Sequence, residues 1–322
     1  MKVQSNFDDL LRNIRELRKR KITRALFIIS FTILPVASFL LFYVYVNLDA
    51  FSMAFLKPEG GKTVWAGFEN FAWVIDKMIN GSTVEIDNLQ LAFVNTFKSF
   101  GIHMIMYPIG IMNAYFIYKK IWGFKVFRVV FYLPNVVSGV VVAFFFTELM
   151  SPSGFFPGLL TKLYNLDYPL YNPLVDRDFA NRMIFLHMIW LGFPGSLIIW
   201  GGTFSRIPES VIESAKIEGV GWVRELVQII IPLVWPTFAL TLTLSLCGIF
   251  GYSGAVFLLT GGNYGTQTVS NWMYLHIVHA TNPMAKPLYR ISAMGLMLTI
   301  VSCIIAFTVR KFLASHITEV QY

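Results

Sequence analysis

Six acid or base residues, Glu209, Glu213, Lys216, Glu218, Arg224 and Glu225, fall within Ile207–Pro236, between two of the most apolar runs of the chain. No nucleophile elbow or Cys/His arrangement accompanies them, so they do not read as catalytic. A polar helix pair held at a membrane surface reads instead as a place where something docks, although periodicity alone leaves an ordinary interhelical loop equally open. A second set lies inside apolar runs: His187, Trp190 and the Gly192-Phe193-Pro194-Gly195 break in one, and Thr241, Thr243, Ser245, Tyr252 and Ser253 in another. Rings and hydroxyls suit a sugar, which presents an apolar face and polar edges. The plainer reading is that Ser and Thr bond back to their own helix backbone. No G-x-x-x-x-G-K-[ST] occurs, so ATP is not expected to bind by a P-loop, and energy must come from a partner or an ion gradient. His276 and His279 lack a third ligand nearby in sequence and read as a wet interfacial pair. Cys247 and Cys303 read as small buried hydrophobes.

The elements that position these residues follow from composition. The 322 residues are 56% hydrophobic and 14% charged, against roughly 25% charged in soluble domains. Uncharged apolar runs of about 20 residues mean membrane helices. Six are expected, at Ala25–Leu48, Leu91–Tyr118, Val129–Thr147 (interrupted by Pro134), Met183–Ser205, Ile231–Leu259 and Ile291–Val309. Gly248, Gly251 and Gly254 recur every third residue along the fifth and are expected to let helices approach closely. Lys98 can snorkel from the outer end of the second.

The net charge of +8 does not point to nucleic acid, because its distribution follows topology. Residues 1–24 carry eight Lys or Arg and read as a cytoplasmic anchor, with a surface helix on anionic lipid as the alternative. With six spans, 17 of the 26 basic residues fall in the short segments on the side of both termini. Both termini and the 207–232 loop are therefore expected to be cytoplasmic. The expected organisation is a basic segment 1–24, a membrane domain 25–311 and a cytoplasmic tail 312–322. Within the polar loop, Pro208 suits a first helical turn, Val211, Ile212, Ala215 and Gly219 share a face, and Gly219 with Gly221 breaks the helix before Trp222.

That loop resembles the EAA loop of the membrane subunits of bacterial ATP-binding-cassette (ABC) importers, whose pattern is E-A-A, three residues, Gly, nine residues, Ile, any residue, Leu-Pro. Glu213-Ser214-Ala215, Gly219, Ile229 and Pro232 keep the register, with Ser214 for the middle Ala and Ile231 for Leu. Trp190-Leu191-Gly192-Phe193-Pro194 is similar to the W-L-G-[FY]-P segment of carbohydrate-type permeases. Gly67-Phe68-Glu69-Asn70-Phe71 and Leu259-Thr260-Gly261-Gly262, with Thr266 and Thr268, resemble two of their outer elements, Asn263 standing where Pro is usual.

The resemblance implies an all-α polytopic membrane protein of the type I ABC importer permease fold in a bacterial plasma membrane. It implies a second permease subunit, two cytoplasmic ATPase subunits that carry the ATP and magnesium, and an extracytoplasmic solute-binding protein. No cofactor is expected in this chain and the cargo is expected to be an oligosaccharide. Glu213, Ala215 and Gly219 are then expected to dock the ATPase, Glu213 as the charged contact and the two small residues for close approach. Trp190, Gly192, Ser245, Tyr252 and Ser253 are expected along the substrate path. A secondary transporter, or the same importer class with a polar non-sugar cargo such as a glycerol phosphodiester, is the alternative; no acid at the centre of any span weighs against the former.

Overall fold

A computed structural model describes residues 2–82, 87–164, 172–195, 197–278 and 286–315. Lipid offers no hydrogen-bond partners, so apolar runs of this length satisfy their backbone internally as helices. α1 (Lys2–Ser38) continues through a π-helical segment (Phe39–Tyr45) into α2 (Val46–Met53). An antiparallel hairpin, β1 (Leu56–Glu59) and β2 (Lys62–Trp65), leads to α3 (Glu69–Asn80) and the long α4 (Leu89–Tyr118). Then come α5 (Phe124–Val136), α6 (Gly139–Met150), α7 (Phe155–Tyr164), α8 (Ala180–Gly195) and α9 (Leu197–Phe204). α10 (Glu209–Ile217) and α11 (Trp222–Arg224) enter a second π-helical segment (Glu225–Ile230) and α12 (Ile231–Cys247). α13 (Gly254–Leu259), α14 (Val269–Val278) and α15 (Lys286–Ala314) follow.

Among the described residues, six helical stretches are long and apolar enough to cross a membrane: Glu16–Met53, Leu89–Tyr118, Gly139–Leu163, Ala180–Phe204, Trp222–Cys247 and Pro287–Ala314. Two depart from the expected bounds. The third bends at Val137, which is extended with ψ 144°, and resumes at Gly139. Pro134 lies inside α5 without ending it; Val137 and Ser138, both weaker helix formers than Ala or Leu, take the break instead. The fifth stops at Cys247, and the expectation that Gly248, Gly251 and Gly254 line one packing face is corrected. Gly248 ends α12 and accepts the Gly251 N–H at 2.9 Å, while Gly254 opens α13. Glycine loses more backbone entropy in a helix than any other residue, so three in seven positions unwind it.

Cys247 and Cys303 are exposed on helix surfaces, not buried. An apolar run in a membrane helix faces lipid or a partner as readily as a core. His276 donates from Nδ1 to the Trp272 carbonyl at 2.9 Å and places Nε2 3.3 Å from Asp87, whereas His279 lies outside the described residues.

α4 packs along α8 and α9, and α12 along α15. Buried side chains form three clusters. One, around Ile111, Tyr115, Trp200, Phe204, Ile212 and Ile230, sits beneath α10. A second, around Val74, Leu89, Trp272, Ile291 and Met294, sits at the opposite membrane face. The third joins Phe146, Met150 and Leu174 to Trp190 and Leu259. The first span contributes no buried side chain among its described residues, so its apolar surface faces lipid or another subunit.

Two outer motifs prove to be architecture. Asn70 is buried and donates to the Ala54 and Leu56 carbonyls, which fastens the hairpin to α3. In the 260–268 turn, Gly261 and Gly262 take φ of +64° and +88°, and the Thr260 and Thr266 hydroxyls pair at 2.6 Å. Asn95, 2% exposed on α4, holds that turn by donating to the carbonyls of Gly265 at 2.8 Å and Gln267 at 3.0 Å. Replacing Asn95 with Ala strands the Gln267 carbonyl, while the Gly265 carbonyl keeps Asn181 as a donor, and is expected to cost about 2 kcal/mol. Thermal unfolding of the detergent-purified complex tests this; a midpoint equal to wild type would mean the turn is held otherwise.

Candidate functional site: a surface helix pair and an intramembrane ladder

The helix pair α10–α11 owes its shape to glycine chemistry. Gly219 adopts φ +67° at the end of α10, its N–H bonding to the Lys216 carbonyl and the Val220 N–H reaching back to Ala215 at 3.0 Å. This six-to-one, five-to-two pattern is a Schellman stop. Nothing lies within 4 Å of where a Gly219 Cβ would stand, so within this chain the glycine answers a backbone requirement and not a close contact. Pro208 stands at the N-cap, one residue ahead of the first turn. Ile212 and Ala215 are buried against the core beneath, with Val211 beside them. Ala215 thus spends its small side chain on its own fold. Glu209, Glu213, Ser214, Lys216, Glu218 and Gly219 are exposed. Ile217, which the sequence pattern did not single out, is 86% exposed at the tip of α10. Ile229 is half-buried in the π-helical entry to α12, and Pro232 follows at the first turn, where its missing N–H leaves no partner unmet.

The joint beneath this pair was not legible in the sequence. Glu225 is 3% exposed, and the Lys119 ammonium at the end of α4 donates to both of its carboxylate oxygens, at 2.7 and 2.8 Å. Each charge also complements its helix: the cation sits at a C-terminus and the carboxylate at the start of the helical run into α12. Phe116 packs its ring 5.3 Å from that of Trp222, so α4 grips α11 through both a charge pair and a ring pair.

In the middle of the membrane, α4 and the end of α12 share a ladder of rings and hydroxyls. His103 Nε2 lies 3.4 Å from Ser245 Oγ, and the Tyr107 and Thr241 hydroxyls are hydrogen-bonded. The Tyr252 ring, in the unwound segment after α12, lies 5.3 Å from His103 and 6.2 Å from Phe100. Ser245 and Tyr252 therefore both meet His103 on α4, a partner that the sequence pattern did not single out. The signal was present as His103 and Tyr107, one helical turn apart in the second span. Ser253 stands next to Tyr252 as the N-cap of α13.

Trp190 and Gly192 lie elsewhere. Trp190 stacks on Phe146 at 6.2 Å within the third cluster, and a Cβ on Gly192 would meet Met106 Cγ at 3.2 Å, so Gly192 allows α8 to approach α4. The helix runs on through Gly195 without the break that the Gly-Phe-Pro-Gly sequence suggests. His187, 3% exposed between Phe146 and Trp190, has neither ring nitrogen hydrogen-bonded.

Six membrane-crossing helices around a surface helix pair define a multi-pass membrane transport component. Residues 106–319 match the family described as "binding-protein-dependent transport system inner membrane component", and the chain belongs to it. The chain is 26% identical over 261 residues to the galactooligosaccharides transport system permease protein GanP of Bacillus subtilis (strain 168), covering 78% of this chain and 60% of that one. It is 23% identical to the arabinooligosaccharides transport system permease protein AraP of the same organism, over 88% of each. The chain spans about 60% of the length of relatives such as GanP and the maltodextrin permease MdxF. A crystal structure of a bacterial ABC transporter involved in import of the acidic polysaccharide alginate contains a chain that superposes with TM-score 0.72, at 21% identity, over 92% of this chain and 99% of that one. The expected fold, a polytopic helical importer permease, is the one observed, with the β1–β2 hairpin as an addition to the expected helices.

Removing one partner of a buried charge pair is costlier than losing both. Lys119→Ala is therefore expected to destabilise the subunit by about 3 kcal/mol, and the exchanged pair Lys119→Glu with Glu225→Lys to recover part of it. Denaturation of the reconstituted complex in a double-mutant series measures the difference; strictly additive losses would show that the two side chains act independently.

Proposed function

We propose that this chain is one permease subunit of an ATP-driven, binding-protein-dependent importer that moves an oligosaccharide by alternating access. Family membership supports the class, and the names of the oligosaccharide and maltodextrin permeases it resembles support the cargo. A neighbouring solved structure holds an alginate pentasaccharide-bound periplasmic protein in complex with the transporter, which supports an extracytoplasmic solute-binding partner. A second permease subunit and two cytoplasmic ATPase subunits complete the assembly. The basic bias of its short segments supports a cytoplasmic position for both termini and α10.

The observation that carries the reading is the joining of an exposed, glycine-stopped helix to the transmembrane bundle through a buried charge pair and a ring pair. Glu213 presents a carboxylate with no ion-pair partner among the described residues, and Glu209, Lys216, Glu218 and Ile217 surround it. In the proposed mechanism the ATPase cleft grips this surface, with Ser214 and Gly219 at the contact. ATP-driven closure moves α10, and α10 drags α11 and α4 through Glu225 and Lys119. Ile229 and Pro232 set the angle at which α12 leaves the joint.

The cargo then passes the ladder of Tyr252, His103, Ser245, Tyr107 and Thr241, with Ser253 at its edge. These residues offer ring faces, hydroxyls and an imidazole, and no Lys or Arg. That chemistry suits an uncharged sugar better than a phosphate ester, which calls for guanidinium or ammonium groups.

Gly219→Val places a branched side chain at a left-handed φ, at a cost of about 1–2 kcal/mol, and is expected to reduce uptake at least tenfold while ATP hydrolysis by the assembled complex persists. His103→Ala with Tyr107→Phe is expected to lower uptake while leaving the basal ATPase rate within about twofold. Proteoliposomes containing the full complex and its binding protein report both quantities. Uptake at the wild-type rate in the glycine variant would remove the coupling role, and uptake at that rate in the double variant would remove the ladder.

A further inference from the structure

At the membrane face opposite α10, α3, α4 and α15 enclose a groove of about 230 Å³ whose lining is wholly apolar, including Val74, Phe93, Phe97, Phe250, Met294 and Met297. Its side is open: Phe97 is 51% exposed, and Met78 and Val301 at its edges are exposed as well. One turn above Met294 on α15, the Arg290 guanidinium lies over the Trp73 ring, 4.6 Å from its centroid. Arg290 has no carboxylate partner among the described residues, whereas its neighbour Lys77 is held by Asp87. From Arg290 to Val301 the groove follows eleven residues of helix, about 16 Å, which is one leaflet of a hydrocarbon core roughly 30 Å thick.

We propose that this groove holds an acyl chain of one anionic phospholipid, with its phosphate bound by Arg290. Two features choose this occupant over a neutral lipid or a protein helix. The Arg290 cation, without a carboxylate partner among the described residues, stands at the interfacial end of the groove, where a headgroup would lie, and a guanidinium already oriented by a ring presents paired donors to phosphate oxygens. Below it, flexible Met294 and Met297 and the Phe93 and Phe97 rings offer deformable apolar contact with no polar atom to satisfy. Trp73 completes the arrangement as an aromatic anchor at the interface. The proposal rests on the chain spanning a membrane and is independent of the cargo.

The test uses the assembled complex in nanodiscs containing equal phosphatidylglycerol and phosphatidylcholine, released into the mass spectrometer with its bound lipids. Wild type is expected to retain phosphatidylglycerol about tenfold over phosphatidylcholine, the ratio that one charge-assisted contact provides. Arg290→Gln is expected to abolish the preference and Arg290→Lys to keep most of it, while Met297→Trp, which fills the groove from its half-buried lining, is expected to lose the lipid with Arg290 intact. The proposal is overturned by equal retention of the two lipids in wild type, by an unchanged preference in Arg290→Gln, or by cross-linking of Phe97→Cys to a helix of the second permease subunit.

Discussion

A carboxylate with almost no exposure at a membrane surface must be met by a cation, and here the cation comes from 106 positions earlier in the chain. Glu225 is the point where a surface helix pair becomes a membrane helix; Lys119 is the point where another membrane helix ends. Joining them ties the end of α4 to the start of the helical run into α12, directly beneath the surface helix pair. Apolar packing of Ile212, Leu226 and Ile230 against Trp200 and Phe204 gives the joint its bulk, but packing tolerates sliding, and a two-oxygen contact from one ammonium sets a register. The π-helical turn at Glu225–Ile230 begins at the carboxylate's own residue, so an irregular stretch of helix adjoins this contact.

The same economy of hydrogen bonds governs the rest of the bundle. Wherever the chain unwinds, neighbours supply partners that lipid cannot. The turn at 260–268 is held by Asn95, Asn181 and Thr96, which bond to the Gly265 and Gln267 carbonyls and the Val269 N–H. The unwound Gly248–Ser253 segment is the place where a helix gives up its regular bonds, and it brings Tyr252 to His103. Polar ladder and broken helix thus have one cause: backbone freed from helix needs polar company.

Much of this was legible in the amino-acid sequence. Uncharged runs too long for any soluble helix require a membrane, and their number needs only counting, since each must satisfy its own backbone. The spacing from Glu213 to Pro232 disclosed a surface helix stopped by Gly219, because a left-handed residue after a polar helix is a local requirement. What composition alone misjudged was orientation around each helix. Cys247 and Cys303 are apolar in context yet exposed, Ala215 is buried by its own core, and Gly192 makes room for Met106. Lipid-facing, partner-facing and core-facing positions are all hydrophobic, so hydropathy cannot separate them.

Only the tertiary structure could pair Lys119 with Glu225, His103 with Ser245, or Arg290 with Trp73, because each pair joins residues far apart in the chain whose types are unremarkable alone. The sequence by itself determined how many rods cross the bilayer and where a hinge stands outside it, since both are local consequences of backbone solvation and glycine geometry. Which faces of those rods meet is a long-range choice made by packing, and that choice brings the Lys119–Glu225 joint, the ladder and the groove into being.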